Sequence, residues 1–497
     1  MKPTFPEVTS TLQDLSPKKR ALLQQRLESA RLATQKNRIS RRNSNDPRVL
    51  SFAQQQLWLV DQMNPGAFAY NVPYPVLIRG PLNVDALQQS LNEIVGRHEV
   101  LRTLFVNFKG QPLPLVAKQW KVELVARDLS HLEESQREAS LRQLLKQDSA
   151  KPFDLARDLK LRTFLYRTGE SEHVFLHVSH HISWDLRSKA IFYEELSKLY
   201  EAACAGHACG LPELPIQYSD YALFQRRHLQ GEVLEKLSSY WKQQLGGGAH
   251  RLILPSDRPR PKVPSLKGAK YPVTLSPELL QMANRFSRQN GTTLYMLLLA
   301  ALKAFLLSYT SQQDISVGSP FAGRPPDAEP VIGMFINTLV LRTEISDDLP
   351  FREVMNRVRS TTLGAMGHQE LPFEKIVEAV RPSRDGGLNP LFQVNFRVQN
   401  SVAIPLLLPG LFTQTLNLID NDSAKFDLAL ELPSDPASKG YFEYACDLFD
   451  QSSIARMTDN FLMLLPALMS KPDLAIRDLE SFQAVRKNAL SMQKFSH

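Results

Sequence analysis

The stretch His173–Asp185, HVFLHVSHHISWD, decides how the chain is organised. Apolar residues alternate along it with polar or aromatic ones, so the pattern predicts a β-strand over residues 173–183 with two different faces. On this alternation His180 falls on the apolar face, whereas His181 falls on the opposite face, towards a cleft. An imidazole held rigidly at the end of a strand can serve as a general base. A buried, hydrogen-bonded histidine pair without catalytic function is the alternative.

Length and composition indicate a globular protein of more than one domain. The chain has 497 residues, 43% of them hydrophobic and 22% charged, which is too long for one core. The N-terminus lacks the apolar run of a signal peptide. The most apolar helix candidate, 294–309, contains Lys303 and is too short to cross a bilayer, so it is predicted to be a buried core helix.

The cysteines predict neither disulfides nor a metal site. There are three of them, Cys204, Cys209 and Cys446, an odd and sparse set that fits a reducing, cytoplasmic location. Cys204 and Cys209 flank His207 in a pattern that superficially resembles metal ligands, but no fourth ligand is nearby. We therefore expect no bound metal.

The positive charge is concentrated at the N-terminus. Residues 1–48 contain eleven Lys or Arg and four acidic residues, which accounts for +7 of the net charge of +8. A basic segment ahead of a nearly neutral body can bind an acidic partner, and few aromatic residues accompany the charges, which disfavours nucleic acid. A solvated basic linker is the alternative. The candidate docking residues are Lys18, Lys19, Arg20, Arg38, Arg41 and Arg42.

The body of the chain alternates predicted helices and strands, which is typical of an α/β or α+β layered fold. Two halves with similar element content suggest an architecture of two related subdomains with a ligand site between them. The predicted divisions are a basic docking segment (1–47), an N-terminal subdomain with the histidine motif (48–245), a linker rich in Gly and Pro (246–265), a C-terminal subdomain (266–482) and a tail (483–497).

His180–Asp185 resembles the core motif His-His-x-x-x-Asp-Gly of nonribosomal peptide synthetase condensation domains. Further motifs of that family occur in the same order, and together they cover about residues 50–480, so the chain is identified as a member of this family. They are SFAQQQLW (51–58), RHEVLRT (97–103), YSDYA (218–222), GSPFAGR (318–324), IGMFINT (332–338), HQELPF (368–373), NPLFQ (389–393) and KFD (425–427).

The resemblance implies two chloramphenicol-acetyltransferase-like subdomains arranged as a V with a central tunnel. It implies that His181 acts at the attacking nucleophile, as general base or as a positioning group, and that His180 is its structural partner. Asp185 and Arg324 are expected to form a salt bridge. Because a buried ion pair is costly to break from one side, Asp185 should matter for folding as well as for chemistry.

The resemblance also suggests residues that line the tunnel, and it reveals one departure from the family. The motif glycine is replaced here by Leu186, which is expected to change the cleft wall and the geometry of the acceptor. Phe335, Phe373, Trp58 and Phe396 are expected to be core aromatics. The candidates for tunnel lining are Ser183, Trp184, Leu186, Ser319 and Asn337, and for Ser319 and Asn337 the capping of turns is the alternative.

The implied activity is acyl transfer without a bound cofactor or metal. An acyl, polyketidyl or peptidyl chain would pass from the phosphopantetheine thioester of a carrier protein to an amine or hydroxyl, which forms an amide or an ester. With no adenylation or carrier segment in the sequence, we expect a free-standing monomer that recruits an acyl or peptidyl carrier protein in trans. Segment 1–47 resembles a β-hairpin docking domain, which would bind an acidic tail by strand addition. The alternatives are a catalytically silent recruitment platform and, less favoured, an epimerisation domain.

Overall fold

The protein is a mixed α/β structure with two main sheets, which confirms the predicted fold class. The computed structural model describes residues 38–247, 251–382, 389–399, 405–416, 422–436 and 438–490. The N-terminal half contains α1 (Phe52–Met63), β1 (Asn71–Arg79), α2 (Val84–Arg97), β2 (Thr103–Phe108), β3 (Gln111–Val116), β4 (Leu124–Asp128), α3 (Glu134–Ala150), β5 (Leu161–Arg167), β6 (Glu172–His180), α4 (Leu186–Cys204), α5 (Tyr218–His228) and α6 (Gly231–Leu245).

The C-terminal half repeats the combination of a sheet with covering helices. Its elements are β7 (Gly268–Val273), α7 (Pro277–Gln289), α8 (Leu294–Thr310), β8 (Asp314–Ala322), β9 (Ile336–Glu344), α9 (Phe351–Met366), α10 (Phe373–Val380), β10 (Val394–Gln399), β11 (Phe412–Thr415), β12 (Leu428–Pro433), β13 (Gly440–Ala445), α11 (Gln451–Ser470) and α12 (Glu480–Leu490).

One strand of the C-terminal half joins the sheet of the N-terminal half. The first sheet has the order β11-β1-β6-β5-β4, and the second has the order β7-β13-β12-β10-β8-β9. β11 pairs antiparallel with β1, with Val76 opposite Thr415. β6 lies in the middle of the first sheet, between β1 and β5. The strand that carries the histidine motif is therefore hydrogen-bonded on both sides and held rigidly.

Packing does not follow the predicted domain boundaries. Leu237, Trp241 and Leu245 of α6 belong to the core of the C-terminal half, and the Trp241 indole N–H donates to the His368 carbonyl at 3.1 Å. Leu252 of the predicted linker is buried in the same core. Of the predicted tail, residues up to 490 lie in α12, whose Val485 is fully buried. The C-terminal core thus begins before residue 245 and extends beyond 482, because apolar faces of these segments need a surface to cover them.

The predicted core helix is confirmed as α8. All but three of its side chains are buried, and the family aromatics Trp58, Phe335, Phe373 and Phe396 are buried as well. Within the described ranges no single helix is long and apolar enough to span a membrane, although the bent pair α7 and α8 together meets that length and composition.

Lys303 is the unusual residue of α8, because its ammonium lies inside the core. Its Nζ donates to the carbonyls of Ile315 and Leu341 at 2.7 and 2.6 Å. These two bonds tie the helix to β8 and β9. Burial lowers the Lys303 pKa to about 7, because desolvation disfavours the charged form.

We predict that Lys303→Met changes the pH dependence of stability. Between about pH 7 and the ordinary lysine pKa of about 10.5, the unfolded state binds a proton that the folded state lacks. The free energy of unfolding of the wild type should therefore rise with pH over this interval. The difference between wild type and Lys303→Met, measured by denaturant unfolding from pH 7 to 10, should show that rise. A difference that does not change with pH would contradict the lowered pKa of the buried Lys303.

Candidate active site

The histidine motif lies at the point where β6 ends. The strand ends at His180, and His181–Ser183 forms a 3-10 turn that leads into α4. The prediction of a strand through residue 183 was wrong, so His181 owes its orientation to this turn and not to strand alternation. Alternation does hold within β6, where Val174 and Phe175 belong to different core clusters.

His180 faces the protein interior. Its Nδ1 accepts the Ile182 backbone N–H at 3.1 Å, which stabilises the turn that follows. The ring contacts Phe153 edge-on, with ring centroids 5.7 Å apart. Burial holds the His180 pKa well below its ordinary value, and the positive charge of Lys160 is the second cause. His180 is therefore a neutral ring that shapes the turn.

His181 occupies the wall of a cleft. Its backbone N–H donates to the Tyr70 carbonyl at 2.9 Å, which fixes the residue to the segment before β1. Its side chain is half-buried, and its Nδ1 has no hydrogen-bond partner among the described residues. Burial is the main cause that lowers the His181 pKa to about 3, and the positive charge of Lys425 is the second cause. The ring is thus uncharged at neutral pH, and an uncharged imidazole can accept a hydrogen bond from a nucleophile.

Asp185 determines where α4 begins. Its Oδ1 accepts both the backbone N–H and the hydroxyl of Ser188, each at 2.7 Å, which is the geometry of a helix N-cap. Its Oδ2 accepts the Phe335 backbone N–H at 3.2 Å. A single buried carboxylate thereby connects α4 to the segment before β9.

The expected ion pair between Asp185 and Arg324 is present in the structure. The Arg324 Nη2 lies 2.9 and 3.0 Å from the two carboxylate oxygens of Asp185, and both side chains are 5% exposed. Nη1 of Arg324 donates to the carbonyls of Ala328 and Val331, and the guanidinium stacks 4.0 Å from the Phe335 ring centroid. The pair therefore joins the turn after His181 to the C-terminal half.

Most of the residues suggested as tunnel lining support the walls instead. Ser183, Trp184 and Ser319 are fully buried, so no open channel reaches their side chains. The Ser183 hydroxyl donates to the His180 carbonyl at 3.1 Å, and the Ser319 hydroxyl donates to the Phe396 carbonyl at 2.6 Å. The motif resemblance carried no information about the burial of these side chains.

The other two candidates differ from each other. The Asn337 amide donates to the carbonyls of Gln369 and Leu371, both at 2.8 Å, and accepts the Phe373 N–H at 3.0 Å. Asn337 thus orders the segment that enters α10. Leu186, the substituted motif glycine, is the first residue of α4 and is 51% exposed. It is the member of the set whose side chain a ligand can reach most easily.

Sequence reasoning missed two cations, Lys425 and Arg397, whose charges act on His181. Lys425 and Arg397 are exposed to solvent, yet desolvation by surrounding protein is the largest influence on the pKa of both. Side chains that are accessible to water and are still largely surrounded by protein line a cleft. Lys425 belongs to the KFD motif (425–427), but only the tertiary structure brings it close to His181.

The docking candidates that the structure describes bind the body of the protein. Arg41 contacts Glu213 at 2.9 Å and Arg42 contacts Glu99 at 2.8 Å. Arg38 lies 3.8 Å from Asp327. These three arginines are already paired with acidic residues of the chain, which argues against a docking role for them. Lys18, Lys19 and Arg20 lie outside the described residues.

Comparison with known proteins identifies the family. The family model described as Condensation domain matches residues 45–491. The chain belongs to the condensation-domain family. Condensation domains are acyltransferases that form amide bonds between substrates delivered by carrier proteins, and they need no cofactor of their own. No group of three or more potential metal ligands occurs in the part of the chain that the structure describes.

The relatives are synthetases of natural-product biosynthesis. The chain is 43% identical over 428 residues to a linear gramicidin synthase protein of Brevibacillus parabrevis, and the match covers 85% of the chain but 6% of that protein. It is 36% identical to phosphinothricin tripeptide synthetase PhsC of Streptomyces viridochromogenes, covering 92% of the chain and 42% of that protein. The chain therefore spans only a small part of these relatives.

Solved structures share the fold. The X-domain from teicoplanin biosynthesis superposes with a TM-score of 0.81 at 27% identity and covers 89% of the chain and 99% of the domain. The SgcC5 protein from Streptomyces globisporus, solved with a naphthyl ethanediol, superposes with a TM-score of 0.72 at 26% identity and covers 86% of the chain and 100% of that protein.

We predict that Asp185→Asn lowers the free energy of unfolding by about 3–5 kcal/mol, because Arg324 would keep a buried charge without a partner. Arg324→Met in the same chain should recover part of that loss. Denaturant unfolding of the two single variants and the double variant measures the coupling. Asp473→Asn, at an exposed ion pair with Arg352, is the control and should change little. Additive losses would contradict the importance of the pair.

Proposed function

We propose that the protein transfers an acyl, polyketidyl or peptidyl chain from the phosphopantetheine thioester of a carrier protein to an amine or a hydroxyl. The observation that carries this proposal is His181, a neutral imidazole half-exposed in a cleft and positioned by a buried ion pair. The product is an amide or an ester. The chain is either released onto a small acceptor or passed to another carrier.

The chemistry needs positioning and movement of one proton. The acceptor nitrogen or oxygen attacks the thioester carbonyl, a new C–N or C–O bond forms, and the C–S bond breaks. The proton of the acceptor passes by way of His181 to the departing thiolate, so the enzyme is unchanged at the end. Bringing donor and acceptor together beside His181 supplies much of the acceleration. A protein of this fold, SgcC5, was solved in complex with a naphthyl ethanediol, a compound that carries hydroxyl groups.

The carrier protein would be recruited in trans through the basic N-terminal segment. Arg38, Arg41 and Arg42 are engaged by the body, so the remaining candidates are Lys18, Lys19 and Arg20. An acidic carrier or an acidic tail of a synthase subunit would complement this charge. On this proposal the segment adds affinity for the carrier and takes no part in the transfer step.

A silent recruitment platform is the second candidate function. It is favoured by Leu186 at the position of the motif glycine, and by the structure of an X-domain in complex with OxyB from teicoplanin biosynthesis, which superposes with a TM-score of 0.80. In that complex the fold binds a protein. The two candidates differ in whether His181 is needed for any measurable reaction.

The test of the proposed function uses carrier protein loaded with an acyl thioester, together with candidate amines and alcohols. We predict that the wild type discharges the carrier and forms product, observed by intact mass, whereas His181→Ala does neither. His207→Ala, a change at an exposed histidine, is the matched control and should behave as the wild type. Identical traces for the wild type and His181→Ala would contradict the enzyme and favour the platform.

We predict that Leu186→Gly folds and tests the role of the substituted position. Leu186 is the first residue of α4 and half-exposed, so glycine should cost about 1 kcal/mol of stability or less. If the proposed function holds, the variant keeps His181-dependent transfer and changes only its acceptor range. Transfer that appears in Leu186→Gly but not in the wild type would support the silent platform.

Removal of residues 1–37 tests the recruitment step, since it leaves the paired arginines in place. We predict a higher KM for the cognate carrier and an unchanged rate with a soluble thioester that mimics the donor. Equal loss on both donors would show that the segment supports the fold and does not recruit the carrier.

A further inference from the structure

Lys425 lies in a segment that connects the two halves of the protein. Residues 422–427 precede β12, and Ser423 forms an isolated β-bridge with Lys267 in the C-terminal half. Asp422 of the same segment forms an ion pair with Lys146 of α3, in the N-terminal half. The segment is thus held from both sides, which gives the Lys425 backbone a defined position at the cleft.

Tyr70 holds Lys425 and His181 in one place. The Lys425 Nζ lies 4.5 Å from the centroid of the Tyr70 ring, a cation–π contact. The carbonyl of the same tyrosine accepts the His181 backbone N–H at 2.9 Å. The influence of the Lys425 charge on the His181 pKa, second only to that of burial, agrees with this proximity. Lys425 and His181 therefore both contact Tyr70, one at its ring and the other at its backbone carbonyl.

The ammonium of Lys425 is available to a ligand. Across the described ranges it forms no ion pair with a carboxylate within 4.0 Å, and its side chain is exposed to the cleft. The neighbouring Arg397, by contrast, is engaged by Glu431 and by the Tyr441 hydroxyl. Of these two cations, Lys425 is therefore the one without a carboxylate partner among the described residues.

The other charged groups around Lys425 come from several elements. Glu443 of β13 favours its protonated form, while Arg397 of β10 and Lys270 of β7 oppose it. Lys270 stands directly opposite Glu443 in the strand register, so each neighbouring carboxylate already has a cation beside it. His180 and His181 face it from the N-terminal half as neutral rings.

The reaction proposed above needs a positive charge at this place. Attack on a thioester moves negative charge onto the carbonyl oxygen, and catalysis depends on groups that stabilise this charge where it develops. A histidine whose pKa is about 3 binds a proton weakly and cannot supply a cation in advance. A preformed ammonium beside it can.

We infer that Lys425 supplies this charge: its ammonium, held on the Tyr70 ring beside His181, stabilises the oxyanion formed from the thioester carbonyl during transfer. This inference rests on the proposed function. The acceptor forms its bond to the carbonyl carbon, the oxygen gains the electron pair opposite Lys425, and collapse expels the thiolate. Lys425 keeps its proton throughout, and the acceptor proton leaves by way of His181.

The experiment compares Lys425→Met and Lys425→Arg with the wild type, with a neutral acceptor and a loaded carrier. By analogy with removal of one oxyanion-stabilising donor, Lys425→Met should lower kcat by about 10²-fold to 10³-fold and change the KM of the carrier little. Lys425→Arg should recover most of that loss. Lys270→Met is the matched control, because it removes a neighbouring cation, and it should keep kcat within a few fold. Thermal unfolding checks that each variant is folded.

The pH profile gives a readout that a structural role would not affect. The Lys425 pKa is lowered to about 8 by burial, so the wild type should lose rate relative to Lys425→Arg as pH rises from 7 to 9. The ionisation of the acceptor is common to both proteins and cancels in the ratio. A ratio independent of pH, or a kcat of Lys425→Met close to that of the wild type, would overturn the inference.

Two further outcomes are distinguishable. A loss in Lys425→Met that is confined to negatively charged acceptors and appears in their KM would overturn the inference, because Lys425 would then bind the acceptor and not the oxyanion. Absence of transfer by the wild type with every acceptor would refute the proposed function itself, and with it the inference.

Discussion

The buried ion pair between Asp185 and Arg324 is the interaction on which the site depends. The Asp185 carboxylate begins α4, receives the guanidinium from the loop after β8 and accepts the Phe335 N–H of the segment before β9. The 3-10 turn that carries His181 lies between this anchor and the end of β6, which is paired on both edges. With both ends of the turn held, the imidazole has little freedom to move.

Burial and two nearby cations determine the charge state of His181, and both lower its pKa. Enclosure disfavours a charged imidazole, and Lys425 and Arg397 oppose it further, so His181 remains neutral. A neutral ring can receive a hydrogen bond from an acceptor amine or hydroxyl, whereas an imidazolium would repel a protonated one. In the proposed transfer, the charge of Lys425 would also favour negative charge on a reacting thioester, so one arrangement would support both requirements of the reaction.

Local patterns predicted many of the elements and the centre of the site. The predicted core helix 294–309 corresponds to α8 (Leu294–Thr310), because a long apolar run can be recognised along the chain. The family motifs located His181, Asp185 and Arg324. They did not indicate that Ser183, Trp184 and Ser319 are fully buried, since a motif records position on the chain while burial depends on what packs above a side chain.

The sequence by itself determined the family, the mixed α/β class, the histidine motif and the buried helix α8, because periodicity, capping and motif residues act over short distances along the chain. Only the tertiary structure decided that β11 joins the sheet of the other half, that α6 packs in the C-terminal core, and that Lys425 meets Tyr70 at His181. These contacts join residues far apart in sequence. They follow from covering apolar surface and pairing strand edges, which no local pattern specifies.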